Sequence, residues 1–421
     1  MKKHLQQIIN NKTENRIIPV LLILALMLIS MMGVSQSAYI TNNGPNTVSV
    51  INVSTNTVTA TIPVGIFPLG VSVSPDGTKV YVTNNQDSTV SVINTTTNTV
   101  TATVAVGVAP IGVTVNFDGS KVYVANSLGS SVSVINTATN IVSATIPVGS
   151  YPNGITVSPD GHKVYVVNDG DNSVSVINTA TNSVSATIVV GHGAIGIAMS
   201  PDGSRVYVTN MLSNTLSVIN ALVDTVSATI AVGMSPFGVS VTPDGKEVYV
   251  ANRSDNTIGV INALVNTVSA TIAVGMSPFG VSVSPDGSKV LVANRSDNSV
   301  SVINAATNIV MNSIKVGNEP TAFGNFISTY TQPISLASIS NEPASISIYP
   351  NPFTSQTIIA FSEEQKNTNI KITDILGKEV RTIKFTGKQL TIEKGEMRTG
   401  IYFVQITDEQ KNVVNKEIII Q

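Results

Sequence analysis

One feature constrains this chain more than any other, a repeat of fixed period. Tyr39, Tyr81, Tyr123, Tyr165, Tyr207, Tyr249 and Leu291 stand 42 residues apart without insertion, each within a run such as YVTN, YVAN or LVAN. A period in this range marks a propeller, a solenoid or another array of identical supersecondary units. Within one unit, residues 280–314, four short alternating runs follow one another: GVSVS, KVLVAN, SVSVIN and IVMNSI. Turn chemistry separates them. In SPDG, Pro fixes φ, Asp bonds its own backbone and Gly takes the left-handed position, while the N-T-A-T-N link makes a second hairpin. No segment shows helical periodicity. Four antiparallel strands in about 40 residues make a propeller blade, and seven units make a seven-bladed ring over residues 39–327.

A blade lies between two neighbours, so both of its faces must be buried. Alternation of apolar and polar side chains normally means one wet face. Here the second face carries Ser, Thr and Ala, as at Ser72 and Ser74 beside Val71 and Val73, small enough to nest under the branched residues of the next sheet. With only 5% aromatic residues and no Trp, many β-branched contacts replace a few large ones. The chain enters the ring at a second strand, so blade one lacks its inner strand. Residues 321–327, TAFGNFI, fall where FGVSVSP stands one unit earlier, and are expected to complete it.

The ends differ from the ring. Lys2, Lys3, Lys12 and Arg16 lead into the apolar run IIPVLLILALMLISMMG and then VSQSA, the order of a secretory signal peptide over residues 1–38, cut between Val34 and Ala38. A retained membrane anchor is the rival reading; after cleavage no stable transmembrane segment is expected. Residues 328–344 form a Ser/Pro/Thr-rich linker. Beyond it, residues 345–421 hold 10 basic and 9 acidic side chains, against 9 and 14 in the much longer repeat region. Runs such as TIIAF, NIKITD, GIYFVQI and KEIIIQ suggest a small antiparallel sandwich. The fold class expected is all-β, a seven-bladed β-propeller followed by a small immunoglobulin-like β-sandwich.

Few residues offer chemistry. There is no Cys, and a net charge of -2 gives no basic field for nucleic acid. Neither the imidazole and thiolate pattern of a metal or haem site nor clustered carboxylates are present, so no cofactor, metal site or catalytic set is expected. The turn aspartates 76, 118, 160, 202, 244 and 286 read as turn formers, and the seven asparagines from Asn42 to Asn294 that close the second strand read as caps. Comparing the units with one another, variation gathers in two loops, those after YVTN and those after VG, which propeller geometry opens on one face. That face carries Arg253, Asp255, Arg295, Asp297, Tyr151, His192, Phe237 and Phe279, charges and aromatic platforms that suit a glycan or protein ligand. Neutral drift on exposed loops is the bland alternative.

The unit resembles the YVTN-type β-propeller repeat of cell-surface and surface-layer proteins, on YITN at 39, YVTN at 81 and 207, and YVAN at 123 and 249. The resemblance specifies fold more than function; with so few titratable side chains, the expectation is a non-catalytic cell-surface binding or structural module. Related seven-bladed propellers include lactonases and lyases, and His192 with Asp169 or Asp171 is the one grouping such an enzyme could use. The last segment resembles the type A C-terminal sorting domain of the type IX secretion system, on ISIYPNPF, IKITDILGKEV, GIYFVQI and KEIIIQ. Its motif residues here are Tyr349, Pro350, Asn351, Pro352, Gly377, Lys378, Gly400, Tyr402 and Lys416. The resemblance implies the type IX secretion machinery as a partner. It also implies passage across the outer membrane to an extracellular or cell-surface location.

Overall fold

The computed structural model describes residues 36–328, 346–349, 351, 353–374, 378–409 and 413–420. The signal segment up to residue 35, the linker, and Pro350, Pro352 and Gly377 of the sorting motif lie outside them. The chain forms two compact units, divided between Ile334 and Ser335.

The first unit is the expected ring. Blade two shows the pattern, with strand A at Pro68–Val73, B at Lys79–Asn84, C at Thr89–Asn94 and D at Thr99–Ala105, paired antiparallel in that order. Five further blades repeat it at 42-residue steps, the last ending with Ile309–Lys315. Strand B starts two residues ahead of the repeated tyrosine, as at Lys79, because the second residue after the SPDG turn already pairs with the end of strand C, Lys79 opposite Asn94. Strands B and C are buried on both faces, whereas strand D, the outermost, alternates. The six repeated tyrosines are at most 2% exposed. Each buried Val contributes roughly 1.5–3 kcal/mol relative to exposure, so a core of Val and Ile suffices. The small-residue face nests as expected: Ser91, Ser133 and Ser175 are buried, and each accepts a hydrogen bond from the Nδ2 of the asparagine closing strand B, as Asn84 to Ser91 at 2.9 Å.

Neighbouring blades are also clasped at their outer turns. Lys79 Nζ donates to Thr137 O at 2.9 Å, Lys163 Nζ to Ala221 O at 3.0 Å, and Lys289 Nζ reaches around the ring to Val53 O of blade one. Blade six carries Glu247 in the position of these lysines.

Closure occurs where the sequence places it, with a difference in form. Tyr39 N donates to Phe326 O and Thr321 N to Thr41 O, each at 2.9 Å, so residues 318–328 lie along strand B of blade one, Ser37–Asn42. They make isolated bridges rather than a continuous strand. Ala322 occupies the place of Gly70 and keeps its bond, its N–H donating to Thr41 Oγ1 at 2.8 Å as Gly70 N does to Thr83 Oγ1, but it has φ of 44°. Phe326 and Ile327 pack with Val48 in the core of blade one, while Phe323 lies against blade two, with Val71 N donating to its carbonyl, and its ring joins a separate cluster at the ring centre.

The second unit is one curled antiparallel sheet; the two faces of the expected sandwich are made by a single sheet bent on itself. The strand Gln356–Asp374 spans 19 residues. Its first part lies beside Ile346–Tyr349 and its second beside Gly400–Thr407, while Glu379–Glu393 flanks it along the other edge. The curl brings Phe353 to Ile420, with Phe353 N donating to Ile419 O at 2.9 Å, around a core that includes Ile359, Ile370, Ile372 and Val404.

Candidate functional site

The loops after strand B and those entering strand A interlace on one face. In blade two, Asn85 N donates to Phe67 O and Ile66 N to Asp87 Oδ2 at 2.6 Å. Asn46, from the preceding blade, accepts from Phe67 N at 2.9 Å. The same lattice recurs: Asn256 Oδ1 accepts from Ser277 N, and Asp255 and Asp297 accept from Met234 N and Met276 N at 2.6 Å. Each of these aspartates thus commits one carboxylate oxygen to holding its loop. Beneath the lattice the asparagines closing strand B sit against glycines of the VG pairs; a Cβ on Gly107 would meet Asn126 Cγ at 2.5 Å. Backbone and amide must touch there, which explains both repeated residues.

At the centre of this face the axis is filled. Ile195, Phe279 and Phe323 form a buried cluster with Ile111, Met211 and Phe237 packed against it. These residues come from blades three, five, six and seven and from the closing segment, and their contact closes the channel at this end. The ring centroids of Phe237 and Phe279 are 3.9 Å apart, and Phe323 meets both edge-on. Above the plug, the guanidinium carbons of Arg253 and Arg295 lie 6.0 and 5.9 Å from the Phe279 centroid. That is the range in which a cation is attracted by the ring face. Arg295 Nη2 also pairs with Glu319 Oε2 at 2.8 Å.

The structure therefore gathers four of the eight sequence-selected residues, Arg253, Arg295, Phe237 and Phe279, into one constellation. Phe323 and Met211 join it unforeseen; the signal for Phe323 was a Phe before Gly in the closing segment, as in the PFG runs, and for Met211 an apolar residue at the start of the varied MLSN loop. Asp255 and Asp297 support the loops behind it. Tyr151 is 53% exposed with φ of 51°, and His192 is exposed beside it in sequence order on the next loop, its N–H donating to Ser213 Oγ. Asp171 accepts from Ser150 N at 2.7 Å, and burial pushes the Asp169 carboxyl above its ordinary value. Among the described residues no hydrogen bond joins His192 to Asp169 or Asp171. No group of three or more His, Asp or Glu that could hold a metal occurs among them either.

The other face is made of repeated turns. Ser74 Oγ donates to Asp76 Oδ1 at 2.5 Å and Thr78 N to the same oxygen at 3.1 Å, and the equivalent aspartates bond likewise, as turn formers. Hydrogen bonds from Ser158 and the His162 amide hold the Asp160 carboxyl down at about 2. In the C-terminal unit, Asn351 Oδ1 accepts from Ile419 N at 2.7 Å, Tyr402 Oη donates to Arg398 O at 2.9 Å, and Lys378 N donates to Asp374 Oδ1. Gly400 has φ of 154°, and Lys416 is exposed opposite Val404. Tyr349 ends the first strand. No helix among the described residues is long and apolar enough to cross a membrane.

With this geometry in place, comparison with known proteins becomes decisive for the ring. A family model described as lactonase, 7-bladed beta-propeller, matches residues 74–309. The chain belongs to this seven-bladed lactonase propeller family. A second model, the secretion system C-terminal sorting domain, matches residues 347–421, so the propeller is secreted through the outer membrane by the type IX system. Among solved structures, hydrazine synthase of Kuenenia stuttgartiensis is similar at 24% identity, covering 64% of this chain and 92% of that one, with a TM-score of 0.60. A putative 6-phosphogluconolactonase from Bacteroides uniformis matches at 21% identity, 68% and 98% coverage and a TM-score of 0.59. These likenesses show the fold. An endo-acting ulvan lyase of Formosa agariphila is 27% identical over 77 residues, 18% of this chain and 15% of the relative.

Proposed function

We propose that the protein is an exported, non-catalytic binding propeller displayed at the cell surface or released, in the manner of YVTN-type surface proteins. Its ligand is taken to be an acidic glycan recognised on the varied face. The observation that carries this reading is the pair of arginines over the Phe279 ring. A guanidinium presents a planar fork of donors to a carboxylate or sulfate, and the Phe279 face beneath holds both guanidiniums in place. Loops held by a rigid lattice are where such recognition is placed at low entropic cost.

A lactonase-like or lyase-like enzyme is the second reading, favoured by the family and by the raised Asp169, a carboxyl suited to proton transfer when its environment shifts it toward neutrality. The lyase similarity is far shorter than the ring and lends it no activity. The test is a glycan array and a lactone panel run side by side on the secreted chain. Binding to acidic glycans that weakens at least tenfold in Arg253→Ala and Arg295→Ala, and falls with salt, is expected. Lactone turnover that disappears in Asp169→Asn, with no glycan retained, would establish the enzyme instead.

A further inference from the structure

The plug leaves the remainder of the channel as a blind pocket of about 520 Å³, opening on the face of the SPDG turns. We propose that this pocket is a second binding site, for an uncharged, largely apolar small molecule carrying a neutral hydrogen-bonding group. Its volume is that of a small-molecule site. None of its lining side chains is Asp, Glu, Lys, Arg or His, so a bound charge would lose water without gaining a counter-charge. The wall is not purely hydrocarbon. Strand A is the inner edge of every blade, and an edge leaves a row of main-chain groups unpaired by its own sheet. Val71 N and Val73 N find Phe323 O and Asn325 O of the closing segment, and Val283 N finds Ser240 Oγ. The hydroxyls of Thr114 and Thr156 and the exposed amide of Asn325 line the same space.

The rim shows where the repeat has been altered. Five of its positions are the turn prolines 75, 159, 201, 243 and 285, and the sixth is Phe117, 58% exposed, from NFDG. An aromatic left in water at the mouth of a neutral cavity, in place of the residue the turn itself prefers, is suited to covering an apolar ligand. Blade five departs as well: Ala198 and Met199 replace the hydroxyl residue and valine found at the equivalent positions of blade three, Thr114 and Val115. This gives one wall a smooth and deformable surface.

The test uses the full secreted chain and two probes of one skeleton, N-phenyl-1-naphthylamine and its anionic sulfonate, 8-anilinonaphthalene-1-sulfonate, followed by fluorescence. The neutral probe is expected to saturate at one per chain and to bind at least tenfold more tightly than the sulfonate. Ala198→Phe, which narrows the pocket, should weaken it at least tenfold in a chain that still melts cooperatively, and Phe117→Pro, which restores the repeat's own turn, about threefold. If Ala198→Phe does not fold, Thr156→Met narrows the pocket from another wall and should weaken the probe in the same direction. Leu264→Ser, on an outer turn where Leu264 is 81% exposed, should change nothing. Equal binding of the two probes, a narrowed pocket that binds as before, or binding lost with Leu264 would each overturn the proposal.

Discussion

The two mouths of the ring are built from one repeat and end in opposite chemistry. Where the B–C and D–A loops meet, the axis is closed by Phe237, Phe279 and Phe323, and Arg253 and Arg295 stand over the closure. Where the SPDG turns meet, the axis is open and its lining neutral. The difference follows from what each loop must do for the fold. The SPDG turn satisfies itself, Asp to Ser and to its own backbone, and its residues are fixed by that task. The other loops are held by bonds to neighbours 21 residues away, as Met276 N to Asp297 and Ser277 N to Asn256. Positions between those anchors are free to vary, and the two arginines over Phe279 stand among them.

The closing segment takes part in both mouths, giving Phe323 to one and Asn325 to the other, so removing it breaks the comparison outright. A chain ending at Gly317 loses Phe323, Phe326 and Ile327, which are at most 5% exposed, and bares the inner edge of blade one. At about 1.5–3 kcal/mol for each large side chain, the loss approaches the whole stability of a domain, about 5–15 kcal/mol. Cooperative melting should disappear in this chain and persist in one ending at Ser328. Equal melting of the two would show that the ring closes without the segment.

Titration separates the faces by sign. On the turn face the folded-state values of Asp118, Asp160 and Asp202 are lowered, by hydrogen bonds from their own turns. Such a group stabilises the fold above its unfolded value near 3.9 and ceases to as pH falls through the folded value. Asp169 on the varied face is raised by burial, so its contribution is present at low pH and lost as pH rises through its folded value. Asp160→Asn should therefore lower the melting temperature at pH 7, by an amount that shrinks as pH falls toward 2 and vanishes only below it. Asp169→Asn should raise it at pH 7 and leave it unchanged at pH 3. Asp160 is exposed and Asp169 half-buried, so shifts of a few degrees at most are expected. Equal signs for the two variants would remove the distinction.

Much of this was legible in the sequence because period, turn residues and β-branched alternation point to the same blade, and the loops of one face could be picked out by comparing units. The rest depended on contacts at long separation. That Asp255 and Asp297 hold loops is visible only once a carboxylate meets an amide 21 residues earlier. Beside Phe323, Ala322 has positive φ at a place where the other blades have Gly without it, and nothing in the repeat announces that departure. In the C-terminal unit, SEEQKN looked like a connection between TIIAF and NIKITD; it lies within one long bulged strand, with register shifts between Ala360 and Thr368, and that strand curls the sheet.

Tyr151 offers the smallest and sharpest probe of the varied face. Its φ of 51° places a bulky residue in the left-handed region, at a position where blade five has Gly193 with φ of 67°. An L side chain there costs roughly 1–2 kcal/mol, while a glycine costs some unfolded-state entropy, about 0.4–1 kcal/mol. Tyr151→Gly should thus stabilise the ring by about 1 kcal/mol or less, read as a small rise in melting temperature. If acidic glycan binding weakens in the same variant, the tyrosine ring is part of the recognition surface, the positive φ itself being common to this position, as at Phe67, Ala109, Ser235 and Ser277. If stability rises and binding is untouched, the ligand-contacting surface contracts to the arginines over Phe279, and Tyr151 belongs with the loops that merely drift.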